Sequence, residues 1–322
     1  MRPIEIELTP KGPYSLAASA AFLCGFSPAA GSALPASGGM TFGFGLDGTF
    51  EPVAVRVSQV DGRVCVRAAG SRDGDAIGKQ VSRILSLDHD GDAWLDVGRR
   101  DPAIGMLQAR YDALRPVCFY SPYEAACWGI LAARTPMKLA ARVRQGLAEA
   151  LGEARVVDGE RIWVFPSPIR LLDAATLPGV PAIKAERLRG LAVAALDGVL
   201  DAEALRALDR EAATARLRAL DGVGPWTASH VLVRGAGLAD EPAFFEPRVR
   251  AGFQLAMQLS EEPTDEELAR ASERWRPYRT WASVLLAVHL SRSGLWSAPT
   301  RSASGARRPP RGARRDAHAV AR

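Results

Sequence analysis

One short stretch constrains this chain more than any other: Leu220-Asp221-Gly222-Val223-Gly224-Pro225-Trp226-Thr227-Ala228. An amphipathic helical pattern ends near Leu220, and a second begins at Pro225. Between them, glycines at alternate positions permit a tight hairpin and remove side chains that would block a close approach of the backbone. Proline in the first helical turn sacrifices no hydrogen bond, because its missing N–H would have had no partner there. The N–H groups that remain free at such a helix start attract a phosphate. A Gly-x-Gly turn alone marks only a turn between helices, but here Leu220 and Val223 supply apolar anchors on either side. Asp221 reads as a turn residue.

The rest of the chain divides around that unit. Residues 1–100 read as an α+β domain built on an antiparallel sheet. Ile4–Leu8, Val53–Val60 and Arg63–Ala68 alternate as strands do, with Gly38, Gly39, Gly43, Gly45 and Gly48 read as turns. Helices are expected over Tyr14–Cys24 and Ala76–Leu87, where Ile77, Val81, Ile84 and Leu85 share a face. Residues 101–296 read as helical throughout, with Pro recurring in first turns, at 102, 122, 225 and 247 among others. Within that region, 153–164 reads as a short extended insertion. Residues 297–322 are Arg, Ala, Pro, Gly and Ser, a composition that reads as a disordered basic tail.

Composition bounds the partners. The net charge of +5 suggests an anionic partner, yet residues 297–322 hold seven Arg and one Asp, a surplus of six positive charges. The preceding body therefore carries −1, and bulk charge alone does not specify nucleic acid. No run of about eighteen apolar residues exists, so no membrane partner is expected. Leu16–Phe26 is apolar enough to raise the question of a signal peptide. The strand-like Ile4–Leu8 before it favours a cytoplasmic protein instead. Cys24, Cys65, Cys118 and Cys127 fit no metal-ligand spacing and read as free thiols, which leaves no place for an iron–sulfur cluster.

Leu220–Ala228 resembles the hairpin of the helix-hairpin-helix DNA glycosylases, the superfamily of endonuclease III and 3-methyladenine glycosylase II. The resemblance extends over roughly residues 1–296. It is carried by Asp101-Pro102, Ser121–Leu131 with Tyr123-Glu124-Ala125, Phe165-Pro166-Ser167-Pro168, Lys184-Ala185-Glu186-Arg187 and Trp275-Arg276-Pro277-Tyr278-Arg279. Pro13-Tyr14-Ser15 with Phe22 matches the extra N-terminal domain of the DNA-3-methyladenine glycosylase II branch. The resemblance implies an all-α glycosylase core of two helical subdomains flanking a cleft. It also implies a monomer, nucleoid-associated, acting on duplex DNA with damaged bases. The activity expected is excision of alkylated bases of the 3-methyladenine type by base flipping, in base excision repair.

The same resemblance assigns roles. Gly222, Val223, Gly224, Trp226 and Thr227 would bind the DNA backbone, and Arg134 would stand where the family inserts a wedge into the duplex. The carbonyls of Arg218, Leu220 and Val223 would hold a sodium or potassium ion, the one cofactor expected. Trp226, His230, Phe22 and Tyr123 would line the base pocket. Bifunctional members carry a lysine where this chain has Trp226, and an indole cannot form an imine, so no AP-lyase activity is expected. The family's catalytic Asp falls at Glu246, which keeps the charge on a side chain one methylene longer. Glu246 precedes Pro247, which places it as a helix N-cap and leaves a mere capping role as the competing reading. Ala133 with Arg134, His230 and Ala287 also replace residues usual in the family. Those departures support an alternative, a noncatalytic DNA-lesion-binding protein, and leave a uracil or oxidised-base glycosylase open.

Overall fold

The computed structural model describes residues 3–24, 39–244 and 246–295. The basic tail expected at 297–322 lies outside them.

The N-terminal unit is a four-stranded antiparallel sheet in the order β1-β4-β3-β2, from β1 (Ile4–Leu8), β2 (Met40–Gly45), β3 (Pro52–Val60) and β4 (Arg63–Ala69). β3 and β4 join through Asp61 and Gly62, at φ 50° and 80°. Two consecutive positive φ values are what a two-residue turn matched to strand twist requires. One face of the sheet packs on α1 (Leu16–Cys24) and α2 (Gly74–Ile84), where Val53, Val55 and Val57 meet Ile77, Val81 and Ile84. The other face receives a hairpin from far along the chain, β5 (Glu153–Val157) and β6 (Glu160–Val164), with Val157 against Ala54 and Ala69. Asp158 at its tip pairs with Arg67 at 2.6 Å.

Residues 40–45, expected as glycine turns, form β2. Gly43 is in a strand because of that distant hairpin. A Cβ there would stand 2.9 Å from the Ile162 side chain and 3.0 Å from that of Val164. The helical region is accordingly not purely α: the stretch expected as an extended insertion is a β-hairpin docked on the N-terminal sheet.

The helices form two cores. The first gathers α5 (Pro122–Ala132), α6 (Met137–Leu151), α7 (Pro168–Asp173), α8 (Ala182–Leu196), α9 (Ala202–Arg206), α10 (Arg210–Arg218) and α11 (Pro225–His230) around Trp128, Leu188 and Leu217. The second gathers α12 (Pro247–Ala256), α13 (Asp265–Ser272) and α14 (Arg279–Ser293) around Trp275 and Trp281. To it belong α3 (Gly91–Arg100) and α4 (Pro102–Arg110), through Trp94, Val97, Ile104 and Leu107. α3 lies before the boundary expected at residue 100 and shares a core with α4 and the C-terminal helices. α3, not among the helices expected from the sequence, is capped by Asp90, whose side chain accepts from the N–H groups of Asp92 and Ala93. Two segments of the resemblance meet here, as Trp275 Nε1 donates to Asp101 Oδ2 at 2.8 Å inside the core.

Candidate active site

α10 ends at Arg218, and the chain turns through Gly222, whose φ of 78° suits glycine. A Cβ there would also lie 2.6 Å from the Arg187 side chain. Gly224 has ordinary extended backbone, φ −84° and ψ 179°, with nothing within 4 Å of the place a Cβ would take. The two glycines therefore do different things. Gly222 shapes the turn, and Gly224 leaves the outer surface bare. Asp221 is exposed and pairs with Arg187 at 3.2 Å. Pro225 starts α11, so the N–H groups of Trp226 and Thr227 have no acceptor within the helix. The side chains of Val223 and Thr227 are buried. Thr227 packs so closely on α5 that a Cβ on Gly129 would stand 2.5 Å from its methyl. Any DNA contact at these two residues is thus limited to the main chain.

α11 passes into a π-helical turn, Val231–Gly235, closed by the Ala236 N–H on the Val231 carbonyl at 2.8 Å. Widened turns of this kind are often found at functional sites. Gly235 lets it press on α5, since a Cβ there would lie 2.6 Å from Pro122 Cα. Trp226 and His230, four residues apart, stack with ring centroids 4.8 Å apart and planes 10° from parallel. Phe119 meets His230 edge-on at 5.4 Å. His230 Nε2 is fully enclosed. Burial first, and the charge of Arg234 second, push its pKa down to about 3, so the ring is neutral at ordinary pH.

Between the two helical cores lies a cleft of about 410 Å³. α11 and the π-turn supply Trp226, Ser229, His230 and Arg234 to one wall; α12 and α14 supply Glu246, Arg248, Thr280 and Ala287 to the other. Phe22 from α1 joins them, with the Arg234 guanidinium 5.2 Å from its ring centre.

Glu246 occupies the N-cap of α12, but its side chain makes no capping bond. It accepts instead from Arg248 Nε at 2.9 Å and lines the cleft. A pure capping role is therefore not what the side chain does. The loop that delivers it is fastened to the first turn of α14. The Arg279 guanidinium pairs with Asp240 at 2.8 Å, the Thr280 N–H reaches the Ala239 carbonyl at 2.8 Å, and the Glu241 N–H reaches Thr280 Oγ1 at 2.9 Å. Glu241 also pairs with Arg210 of α10 at 2.7 Å, which ties the loop to the opposite core.

The structure thus brings Phe22, Trp226, His230 and Glu246 into one cleft. It does not bring Tyr123, expected there, which is buried between Phe50 and Phe165 with its hydroxyl donating to the Pro166 carbonyl at 3.3 Å. The resemblance placed Tyr123 in the pocket wall, and apolar burial puts it in the core instead. Arg134 is exposed at φ 54° on the turn after α5, outside the cleft lining. Lys184 holds that turn by donating to the carbonyls of Leu131 and Ala133 at 2.7 and 2.8 Å. The sequence reading missed Arg248, Ser229 and Arg234 as cleft residues. Spacing could have found Arg234, four residues beyond His230. Of the cysteines, Cys118 and Cys127 are buried free thiols whose pKa burial raises. Among the described residues, no group of His, Cys, Asp and Glu is placed to hold a metal, and no helix is long and apolar enough to cross a membrane.

No protein-family profile matches the chain. It is 25% identical over 216 residues to DNA-3-methyladenine glycosylase of Bacillus subtilis, covering 66% of this chain and 71% of that protein. It is 32% identical over 184 residues to DNA-3-methyladenine glycosylase 2 of Escherichia coli, covering 56% and 62% respectively. The fold is similar to that of the 3-methyladenine DNA-glycosylase from Archaeoglobus fulgidus, with a TM-score of 0.73, 20% identity and coverage of 91% of this chain and 100% of the other. The hairpin, the two-core cleft and the N-terminal sheet accompany these likenesses: the chain is similar in sequence to DNA-3-methyladenine glycosylases and shares the fold of one.

Proposed function

We propose that this protein is a monofunctional DNA glycosylase that excises alkylated bases of the 3-methyladenine type from duplex DNA in base excision repair. The observation that carries this is Glu246. Its carboxylate turns away from the helix it caps and into a cleft faced by the Trp226–His230 stack. Both relatives named above are DNA-3-methyladenine glycosylases.

The glycosidic bond is out of reach inside a stacked duplex, so the nucleotide is flipped into the cleft at a cost of a few kcal/mol. Main-chain N–H groups at the hairpin and the start of α11 grip phosphate without reading sequence. The carbonyls at the end of α10 and in the turn, of Arg218, Leu220 and Val223, suit a monovalent cation. Leu220 O receives the Val223 N–H at 3.1 Å and keeps a second lone pair. The exposed Trp226 indole offers a face to the flipped base. Arg134, on its clamped turn, is left to fill the gap in the duplex.

As the C1′–N bond breaks, its electron pair leaves with the base and positive charge develops on the sugar. Glu246 stabilises that charge and orients the water that adds to C1′. Trp226 stands in place of a Schiff-base lysine, and among the described residues no lysine lines the cleft. This supports hydrolysis without strand cleavage, by a monomer acting on duplex DNA.

The test is single-turnover release from methylated duplex. Free base and an intact strand with an abasic site are expected, with no adduct trapped by borohydride. Trapping or spontaneous nicking would overturn the monofunctional assignment. Tight lesion binding without release would turn the reading to a noncatalytic binder.

A further inference from the structure

The carboxylate that lines the cleft is held in an ion pair. Glu246 Oε1 accepts from Arg248 Nε at 2.9 Å, and among the described residues Arg248 pairs with no other carboxylate. Arg248 stands in the first turn of α12, two residues beyond Glu246, and both line the cleft. Its side chain is 47% exposed against 24% for Glu246. The other two guanidiniums of the cleft lie elsewhere. Arg234 is buried against the ring of Phe22, and that of Arg292 lies 5.1 Å from the ring centre of Tyr111. Burial first, and then the charge of Arg248, bring the pKa of Arg234 down to about 10. Two like charges therefore face each other from opposite walls, and their repulsion favours an outward move of the exposed one.

The closed pair suits the free protein and works against bond cleavage. As positive charge develops on the sugar, a carboxylate without a counter-ion stabilises it in full. A guanidinium in contact with that carboxylate cancels most of its field and adds its own repulsion to the sugar. For Glu246 to act, Arg248 needs another anion.

The duplex brings one. A flipped nucleotide enters between Trp226 on one wall and Arg248 on the other, both of them exposed. Its base passes inward, and its two flanking phosphates, being charged, stay at the mouth. A guanidinium binds phosphate through two parallel N–H donors, as it binds carboxylate. The Arg248 side chain is long and half exposed, so rotation about its own bonds exchanges one anion for the other.

We propose that Arg248 is a latch on Glu246: it pairs with the carboxylate in the free protein and passes to a phosphate flanking the flipped nucleotide, which releases the carboxylate for the sugar cation. Arg248 is thus a positioning residue that acts through Glu246 and makes chemistry wait for a correctly seated backbone. This rests on the glycosylase reading above and adds the event that frees its carboxylate.

The experiment measures single-turnover release, at saturating enzyme, from duplexes carrying a single 3-methyladenine introduced by a minor-groove methylating agent with one target site. In each duplex one phosphate beside the lesion, on its 5′ or 3′ side, is replaced by an uncharged methylphosphonate. At one of these positions wild type should slow at least tenfold. Arg248→Gln has no latch to open, so it should slow less than twofold there and release base faster than wild type from that duplex. Arg248→Lys keeps the charge and should restore the sensitivity. Arg248→Gln should also lower the salt slope of duplex binding by about one phosphate contact. Wild type insensitive to every methylphosphonate, or an equal loss in wild type and Arg248→Gln, would overturn the latch. So would a loss of tenfold or more for Arg248→Gln on the duplex with every phosphate intact, since the guanidinium would then serve during bond cleavage itself. Each of these outcomes leaves the glycosylase reading standing. No release by wild type from the intact duplex would overturn that reading and the latch with it.

Discussion

The hairpin and the cleft wall opposite it are built on different principles. The hairpin is local. Its shape follows from the φ of Gly222, the ring of Pro225 and the buried side chain of Val223, all within a few residues, and what it offers DNA is main chain. The opposite wall is assembled at long range. Glu246 stands where it does because Asp240 meets Arg279, Ala239 meets Thr280, and Glu241 reaches across to Arg210. On the proposed function, grip on the duplex is a backbone property with tight local requirements, and chemistry on the base depends on side chains that several distant segments hold in place. Substitutions should therefore separate the two: hairpin changes alter affinity, and changes on the opposite wall alter turnover.

The largest separation is expected at Glu246. Glu246→Gln removes the charge and keeps the shape, so base release should fall about a hundredfold or more, on the order of 3 kcal/mol of lost transition-state stabilisation. Affinity for the same duplex should hardly move. Glu246→Asp should retain turnover, because the charge survives. Equal single-turnover rates for wild type and Gln would mean that the carboxylate does no chemistry.

Gly222→Val is the counterpart on the other side. It forces a β-branched residue into φ 78° and drives its Cβ to 2.6 Å from the Arg187 side chain. A distorted turn should weaken DNA binding at least about tenfold and destabilise the fold by about 1–3 kcal/mol. With saturating enzyme, release from the complex that still forms should continue at a rate near wild type. A protein that binds as before would show that the hairpin does not touch DNA.

Legibility in the sequence follows the same division. The hairpin could be read directly, since every demand it makes on the backbone is met by a residue within the stretch. β1, β3 and β4 were readable from alternation, and most helices from periodicity and first-turn prolines. β2 was hidden because Gly43 answers to Ile162 and Val164, more than a hundred residues away. The membership of α3 was hidden because, apart from its neighbours at 104–114, its buried core partners lie beyond residue 240. Glu246 could be placed only through the family resemblance, and nothing local revealed that it would bond Arg248 and leave its own helix uncapped. Tyr123 failed for the converse reason, since an aromatic residue carries no sign of whether core or pocket will take it.

A smaller effect is expected from His230, which belongs to the hairpin helix but faces the cleft. Its folded pKa of about 3 lies below the usual 6.5. Between those values the unfolded chain takes up a proton that the folded chain refuses, so stability is full above pH 6.5 and is lost as pH falls toward 3. From pH 6.5 to 5 the loss is at most about 2 kcal/mol. His230→Phe keeps a ring beside Trp226 and removes this dependence. Denaturant unfolding of the two proteins across that range should show wild type losing the extra stability and the variant keeping it. Parallel curves would place the imidazole in contact with water.

The smallest change is the most specific probe of the hairpin. Gly224 sits in extended backbone at φ −84°, which any residue adopts, and nothing in the protein lies within 4 Å of an added Cβ. Gly224→Ala should therefore leave thermal stability where it was, within about 0.5 kcal/mol. The free protein gives no reason for the position to be glycine, so any cost must come from what approaches it. If a phosphate approaches the N–H groups at the start of α11, the methyl group stands beside its path and should weaken duplex binding a few-fold. The steepness of the salt dependence should be unchanged, because no charge is lost. Unaltered affinity would mean that the backbone of Gly224 lies outside the contact, and the grip on DNA would then have to come from the side chains around the cleft mouth. The separation between a backbone that holds the duplex and side chains that act on the base would fail at its most local point.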